Sequence, residues 1–258
     1  MSLSAWRRKP CSGPQAANMM WKNAPAAPPG PPSASLRLRC RNSHFLMSNL
    51  PNDPFPASDF DDWAETYDQS LLEHTAFPFD GYDRVLETIL LRANPQPGQS
   101  VLDLGTGTGN LALLFAEKGC RLTCTDFSEA MLAKARNKLP RAAFYLHDLR
   151  EDLPQELTQR FDHIVSAYVF HHFELDQKIG ICANLVRSHL APSGSLLIGD
   201  ISFPSQAAQD IFRQGIPDWE DEFYWLADQA LAGLEKAGLT TDYLQVSPCA
   251  GVYVLRAG

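Results

Sequence analysis

The sequence predicts an α/β fold in which a mostly parallel, doubly wound sheet carries helices on both faces. From about residue 100 onward, short apolar stretches alternate with amphipathic helical stretches, as parallel strands and their crossover helices do. A glycine-rich turn directly follows the first apolar stretch. The last two stretches, about 240–246 and 251–255, are joined by only four residues, and a link this short joins antiparallel neighbours. Together these observations predict a Rossmann-like sheet that ends in an antiparallel hairpin.

The individual elements follow from periodicity and from capping residues. Residues 161–167 form an apolar run without alternation, which is typical of a strand buried on both faces. Apolar residues recur at spacings of four and three from Leu175 to Leu190, which indicates an amphipathic helix. Ser128 is a suitable N-cap for a helix that ends before Pro140. We therefore expect strands at about 100–104, 121–125, 142–146, 161–167, 195–201, 240–246 and 251–255, and helical regions at about 59–91 (one or two helices), 110–118, 129–138, 175–190 and 206–237.

The chain is predicted to divide into an N-terminal extension and one domain. Residues 1–46 contain a tract rich in proline and alanine without apolar periodicity, so we expect a disordered extension. Its arginines and its lack of acidic residues fit a targeting peptide, but a start assigned too far upstream, with Met47 as the natural beginning, is the interpretation we favour. Residues 47–258 are expected to form a single domain, in which 55–92 make an N-terminal helical cap.

Charge and composition narrow the classes of function. Of the 22 basic residues, seven lie in residues 1–46, so the rest of the chain contains 15 basic and 30 acidic side chains. Such an acidic domain repels phosphate backbones, which disfavours a nucleic-acid partner.

No apolar run approaches the roughly 18 residues that span a bilayer, and the six cysteines form no CxxC pair and no cluster with zinc spacing. We therefore expect a cytoplasmic protein with free thiols and no membrane span.

Three carboxylates at successive predicted strand ends indicate a nucleoside-like ligand. Asp103 lies beside the turn 105–109, whose alternating glycines let a ligand approach the backbone, and its carboxylate is an acceptor for a cationic group. Asp126 ends the second strand, where an acidic residue binds both hydroxyls of a ribose. Asp148 follows the third strand, where a carboxylate accepts from the exocyclic amine of adenine.

A nicotinamide-dependent oxidoreductase is the alternative that shares this type of fold. Its fingerprint is GxGxxG, but here the third glycine comes one residue early and Asn110 fills the required position. Asp103 beside the turn would also repel the pyrophosphate that a helix N-terminus binds in such proteins. The spacing therefore favours a cationic ligand over a dinucleotide.

Four motifs resemble those of the class I S-adenosylmethionine-dependent methyltransferases. The stretch VLDLGTGTGNLA resembles their glycine-rich motif, and TCTDFSEAML resembles their second motif. FDHIVSAYVFHHF and LAPSGSLLIGD are similar to their fourth-strand and fifth-strand motifs. The resemblance covers about residues 60–258, and within the family it is to small bacterial enzymes related to ubiquinone/menaquinone methyltransferases. It implies an enzyme whose cofactor is S-adenosyl-L-methionine.

The resemblance also implies which residues hold the cofactor. Asp103, Gly105 and Gly107 would bind its methionine part, Asp126 its ribose, and Tyr67 of the covering segment WAETYD its carboxylate. Around the adenine it places Phe127, Met131, Asp148 and Leu149. The complete implied set is Tyr67, Asp103, Gly105, Thr106, Gly107, Asp126, Phe127, Met131, Asp148, Leu149 and Ser166.

The sequence indicates the binding site of the methyl acceptor less clearly than that of the cofactor. His171 and His172 follow the fourth strand, where the resemblance places the methyl acceptor, and histidine is a common general base near neutral pH. For both histidines, the alternative to a catalytic role is a role in packing and in positioning the loop. The segment 217–225 mixes aromatic and acidic residues and is either a substrate lid or, as we favour, an amphipathic helix with Trp219, Phe223 and Leu226 inward.

We expect the acceptor to be a small molecule and predict no metal site, because the cofactor is already activated. A protein that binds the cofactor for regulation, without turnover, is the remaining alternative.

Overall fold

The computed structural model describes residues 55–73, 76–217 and 219–258. The predicted extension 1–46 lies outside these residues. The elements in chain order are α1 Ala57–Trp63, α2 Tyr67–Glu73, α3 Tyr82–Ala93, β1 Ser100–Leu104, α4 Asn110–Glu117, β2 Arg121–Asp126, α5 Glu129–Lys138, β3 Ala143–Leu146, β4 Phe161–Ala167, α6 Leu175–Ser188, β5 Leu190–Phe203, α7 Gln206–Arg213, β6 Trp225–Leu226, α8 Ala227–Lys236, β7 Leu239–Ser247 and β8 Ala250–Ala257.

The strands form one sheet in the order β3-β2-β1-β4-β5-β8-β7, with β6 pairing beside β5. Strands β1 to β5 run parallel to one another, whereas β8 runs antiparallel to both β5 and β7. The predicted fold class, a mostly parallel sheet with a C-terminal antiparallel hairpin, is therefore confirmed. The strand order reverses between β1 and β4, and ligands of such sheets bind beyond the carboxyl ends of the strands at this point.

Both faces of the sheet are covered, which explains why its central strands lack alternation. In β4, Val165 packs into a core shared with Val85 and Ile89 of α3. The adjacent Ile164 points to the opposite face, into a core shared with Leu185 of α6. All of these side chains are buried. Burial of such a side chain contributes roughly 1.5–3 kcal/mol, so both faces of these strands require apolar residues.

The prediction of a continuous helical region over 206–237 was wrong in its middle part. Helix α7 ends at Arg213, and α8 begins only at Ala227. Pro217 lacks the backbone N–H that would continue a helix. Trp219 and Phe223 do not share a helical face, since Phe223 is 44% exposed. Residues 219–224 are instead non-helical and lead into β6.

Two smaller differences concern element boundaries. The N-terminal region contains three helices where one or two were expected. Strand β5 extends beyond the predicted 195–201 at both ends, because Leu190 pairs with Phe161 of β4 and residues 202 and 203 pair with β6. Within the described parts of the chain, no helix is long and apolar enough to cross a membrane.

Candidate active site

The glycine-rich turn after β1 forms the floor of a pocket at the reversal of strand order. Gly105 and Gly107 have φ angles of +64° and +55°, in the left-handed region that side chains disfavour. A Cβ on Gly105 would lie 2.3 Å from Val169, so the fold itself requires glycine there. A Cβ on Gly107 would meet nothing within 4 Å, because this residue faces the open pocket. Thr106 also lines the pocket, and its hydroxyl donates to the Asp103 carbonyl at 3.1 Å.

Asp103 places a buried carboxyl group in this pocket. The residue is 1% exposed, and its Oδ2 has no hydrogen-bond partner among the described residues. Burial, with a further contribution from the Asp126 carboxylate, raises the pKa of Asp103 to about 8. A carboxyl group in this state costs stability unless a donor reaches it, so its position indicates a ligand with a cationic or N–H group.

Asp126 lies at the end of β2 and holds the backbone around it. Its Oδ2 accepts from the Gly107 amide at 2.7 Å, and its Oδ1 accepts from the Ser128 amide at 2.9 Å. Burial raises the pKa of Asp126 to about 6. The residue is only 6% exposed. Asp126 therefore organises the glycine-rich turn, and a carboxylate retains lone pairs for further donors.

The predicted adenine-side residues lie on the turns after β2 and β3. The ring of Phe127 meets that of Phe60 with 4.9 Å between centroids. Met131 is buried, and its amide donates to the Ser128 hydroxyl, as expected from an N-cap at that position. The Arg150 guanidinium donates a hydrogen bond to the Asp148 carboxylate, with an Nη2–Oδ2 distance of 2.6 Å.

Two other predicted cofactor residues have different surroundings. Leu149 packs at the edge of the core on the α6 side of the sheet. Ser166 is completely buried, and its hydroxyl donates to the Leu104 carbonyl at 2.8 Å. That bond joins β4 to β1 and accounts for the Ser166 hydroxyl without a ligand.

The N-terminal helices close over the glycine-rich turn. Tyr67 and Tyr82 line the pocket together with the turn residues Gly105 and Gly107. Asp68 accepts from the Thr108 hydroxyl at 2.6 Å and from the Lys138 ammonium at 2.6 Å. Asn110 adds a bond to Asp68 at 3.2 Å. Helix α2 is thus attached to both the turn and the end of α5, a contact that the sequence analysis did not anticipate.

His171 is held by a buried carboxylate from the neighbouring strand. Its Nδ1 lies 2.6 Å from Asp200 Oδ1, and its backbone amide donates to Asp200 Oδ2 at 2.9 Å. Asp200 is completely buried. Burial acts to lower the pKa of His171, but the carboxylates of Asp200 and Glu222 outweigh it and raise this pKa above its ordinary value. Asp200 therefore fixes the orientation of the ring.

His172 and Glu222 complete a cluster with His171. Glu222 Oε2 lies 3.6 Å from His171 Nε2 and 3.8 Å from His172 Nδ1. Burial, together with the neighbouring His171, holds the pKa of His172 well below its ordinary value. The rings of Phe55 and Phe60 pack against His172, with centroid distances of 4.3 and 5.7 Å. The two predicted histidines are thus brought together with a glutamate about 50 positions further along the chain.

Sequence reasoning missed Asp200 and Glu222 as partners of the histidines. Asp200 was visible as the aspartate inside the LAPSGSLLIGD motif, but its side chain faces His171 only because β4 and β5 are neighbours. Glu222 belongs to the segment 217–225, which folds back so that the Phe223 amide donates to the His171 carbonyl at 3.2 Å. Trp219 of this segment stacks on Phe77 at 5.0 Å, in an aromatic cluster.

Comparisons with known proteins bear on the family and the fold of the chain. Residues 101–194 match the family model of the methyltransferase domain. Uncharacterised methyltransferases of Geobacillus kaustophilus (strain HTA426) and Geobacillus thermodenitrificans (strain NG80-2) are 33% and 32% identical to the chain, over 77% of this chain and 94% of each relative. The solved structure described as a DhpI-SAH complex superposes with a TM-score of 0.61 at 20% identity, over 78% of this chain and 95% of that one, which shows a shared fold.

The chain therefore belongs to the class I S-adenosylmethionine-dependent methyltransferases. The predicted enzyme class and the predicted cofactor, S-adenosylmethionine, are confirmed at the level of the family. Family membership also disfavours the nicotinamide-dependent alternative.

Proposed function

We propose that this enzyme transfers the methyl group of S-adenosylmethionine to a small molecule that binds beyond β4, beside His171 and His172. The observation that carries the proposal is the carboxyl group of Asp103, which is buried in the pocket next to Gly107 and leaves Oδ2 without a partner among the described residues. A methyltransferase cofactor brings the cationic amino group that an ionised carboxylate accepts.

The pocket residues fit the methionine and ribose parts of the cofactor. Asp103 would accept from the amino group, while Gly107 leaves open space next to the turn. Asp126 would accept from the ribose hydroxyls with the lone pairs that its two backbone bonds leave free. Tyr67 lines the same pocket and would donate to the cofactor carboxylate. When bound, S-adenosylmethionine supplies a methyl group on a positively charged sulfur.

The adenine would lie between the turns after β2 and β3. Phe127 and Met131 offer apolar surfaces on one of these turns, and Leu149 offers one on the other. Asp148 would accept from the exocyclic amine with the lone pairs that its contact with Arg150 leaves free. We assign no cofactor contact to Ser166, because its hydroxyl already bonds to the Leu104 carbonyl.

The acceptor end would be formed by the short turn that contains His171 and His172. Asp200 fixes the ring of His171, and Phe55 and Phe60 pack on His172 and limit the access of water. A fixed, dry site of this kind aligns the acceptor with the methyl group, and alignment contributes much of the rate of such a transfer.

Three finer assignments belong to the same proposal. The acceptor is a small molecule and not a nucleic acid, because the part of the chain after residue 46 is strongly acidic. The motif resemblance supports a place beside the ubiquinone/menaquinone methyltransferases. The free cysteines Cys120, Cys124, Cys182 and Cys249 support a cytoplasmic location.

A labelled-methyl experiment tests the acceptor class. The purified full chain is incubated with S-adenosylmethionine carrying a labelled methyl group and with a cell extract separated into small molecules, protein and nucleic acid. We expect label in the small-molecule fraction. Label only in nucleic acid or protein would contradict the proposed acceptor. Tight binding of S-adenosylhomocysteine without label in any fraction would favour the regulatory alternative.

A further inference from the structure

A cluster of three metal-ligating side chains lies beyond the carboxyl ends of the central strands. His171 and His172 come from the turn after β4, and Glu222 comes from the connection between α7 and β6. One ligand atom from each lies within 4.8 Å of the other two. Because the three arrive from two separate segments, the tertiary fold and not local sequence brings them together.

Two polar atoms of the cluster are buried without a hydrogen bond. Glu222 Oε2 and His172 Nδ1 have no hydrogen-bond partner in the described portion of the chain. The Glu222 side chain is 7% exposed, so its carboxylate is largely removed from water. Its distances of 3.6 and 3.8 Å to the two imidazole nitrogens are too long for direct hydrogen bonds. A buried carboxylate and imidazole in this state are costly unless a further group lies between them.

The two distances from Glu222 to the histidine nitrogens are close to the edges of a metal coordination shell. Zinc binds imidazole nitrogen and carboxylate oxygen at about 2.1 Å, so neighbouring ligand atoms lie roughly 3.4 Å apart in a tetrahedral site. An octahedral site with the same bond lengths would bring them to roughly 3.0 Å. The measured 3.6 and 3.8 Å are nearer to the tetrahedral value.

The surroundings of His171 are also those of a metal ligand. Asp200 lies 2.6 Å from its Nδ1, and a carboxylate in that place fixes the tautomer that leaves the Nε2 lone pair directed at the cluster. Lys178 supplies an opposing charge, but its ammonium donates to the Phe223 carbonyl and lies 4.6 Å from the Trp225 ring centroid. Arg150 also acts on His172, but its charge is paired with that of Asp148. The carboxylates of Asp200 and Glu222 exceed the single charge of Lys178, so a divalent ion is electrostatically acceptable.

Although no metal site was expected from the sequence, we propose that His171, His172 and Glu222 bind a zinc-type divalent ion, with Asp200 as the residue that positions His171. Three protein ligands leave the fourth position of a tetrahedral ion open, which is the arrangement of zinc sites that take part in reactions. That position would take water or a thiol or hydroxyl group of the acceptor, whose pKa the ion lowers. This use of the open position rests on the proposed methyl transfer, whereas binding of the ion does not.

The test is the binding of Zn²⁺ and Co²⁺ to the purified full chain after removal of metal by a chelator. We expect one Zn²⁺ per chain by calorimetry, and visible absorption by bound Co²⁺ of the intensity that tetrahedral coordination gives. Glu222→Gln and His172→Ala should each weaken Zn²⁺ binding at least about tenfold. Asp221→Asn is the matched control, because it removes an exposed carboxylate of the same segment that pairs with Arg213, and it should bind like the parent.

Titration with S-adenosylhomocysteine shows whether each variant is folded and separates this proposal from the proposed function. Absence of stoichiometric Zn²⁺ binding by the parent would overturn the metal site. Equal Zn²⁺ affinity in the parent and in both folded variants would overturn it as well, because the ion would then be held elsewhere, for example by thiols. Zn²⁺ binding that depends on Glu222, in a chain that binds no S-adenosylhomocysteine, would instead contradict the cofactor pocket.

Discussion

At the scale of single residues, Asp103 is a buried carboxyl group that we propose binds the amino group of the cofactor. Its carboxyl group is buried at the end of β1, and Oδ2 meets no donor in the described residues. The pKa of about 8 means that the folded protein holds this proton over a pH range in which the unfolded chain, with an ordinary value of 3.8, has lost it. Stability supported by the neutral form is therefore lost progressively as the pH rises from about 4 to about 8.

Asp103→Asn should weaken the binding of S-adenosylhomocysteine at least about tenfold, because a hydrogen bond to a charged group contributes roughly 1.5–3 kcal/mol. The parent should bind more tightly as the pH rises toward 8, since the cationic amino group selects the ionised carboxyl. The variant should lack this pH dependence. Calorimetric titrations at pH 6, 7 and 8 measure both effects, and equal affinities for parent and variant would place the amino group elsewhere.

The same substitution should raise thermal stability in the absence of ligand. An asparagine side chain has nearly the same shape as that of aspartate but does not ionise, so the Tm advantage of the variant should be small at pH 5 and should grow up to about pH 8. Thermal unfolding of both proteins across this range is the measurement. A variant that is less stable than the parent at pH 8 would show that the Asp103 carboxyl has a stabilising partner.

At the scale of elements, helix α2 is attached to the glycine-rich turn by one polar network. Asp68 receives bonds from Thr108 and Asn110 of the turn region and from Lys138 at the end of α5. The Asp68 side chain is 47% exposed, so the ion pair with Lys138 contributes only modestly. The network nevertheless joins the covering helices to the segment that would hold the cofactor.

Asp68→Ala should release α2 from the turn without unfolding the sheet. We expect up to about 1 kcal/mol of lost cofactor binding, or roughly fivefold in affinity, and faster amide exchange in residues 67–73. Glu65→Ala is a suitable control, because Glu65 is 78% exposed and pairs only with Lys134 among the described side chains. Equal exchange rates in both variants would mean that the Asp68 network does not hold the helix.

At the scale of the whole molecule, the chain combines a basic N-terminal segment with an acidic remainder. Residues 1–46 contain seven of the 22 basic residues and no acidic one, and they show no core-forming pattern. By contrast, Phe55 and Phe60 pack on His172, and Phe60 also packs on Phe127. The boundary between dispensable and necessary sequence should therefore lie between residue 46 and Phe55.

Deletion of residues 1–46 should leave Tm nearly unchanged and S-adenosylhomocysteine affinity within about twofold of the full chain. A deletion of residues 1–62 removes Phe55 and Phe60 and should lower both quantities. Thermal unfolding and calorimetry on the two truncated chains decide the matter. Large losses in the shorter deletion would show that the extension takes part in the fold or the site.

Sequence alone determined the fold class and the cofactor. Both are recorded in local patterns. The adjacent Ile164 and Val165 of β4 are both apolar because they pack into separate cores on the two faces of the sheet. The glycines of the turn after β1 occur where the backbone needs φ values that other residues avoid. Asp103 and Asp126 could be selected because a strand end is a position that the chain order itself specifies. Such features depend on neighbours in sequence, so they can be predicted without knowledge of the contacts.

Only the tertiary structure decided what surrounds each of these residues. Asp126 was predicted as a ribose acceptor, but its bonds to the Gly107 and Ser128 amides depend on how the turns after β1 and β2 meet. A helix was favoured for 217–225, but residues 219–224 are non-helical and bring Glu222 to His171 and His172. Contacts between segments this far apart depend on strand order and on packing across the sheet, and no local periodicity records them.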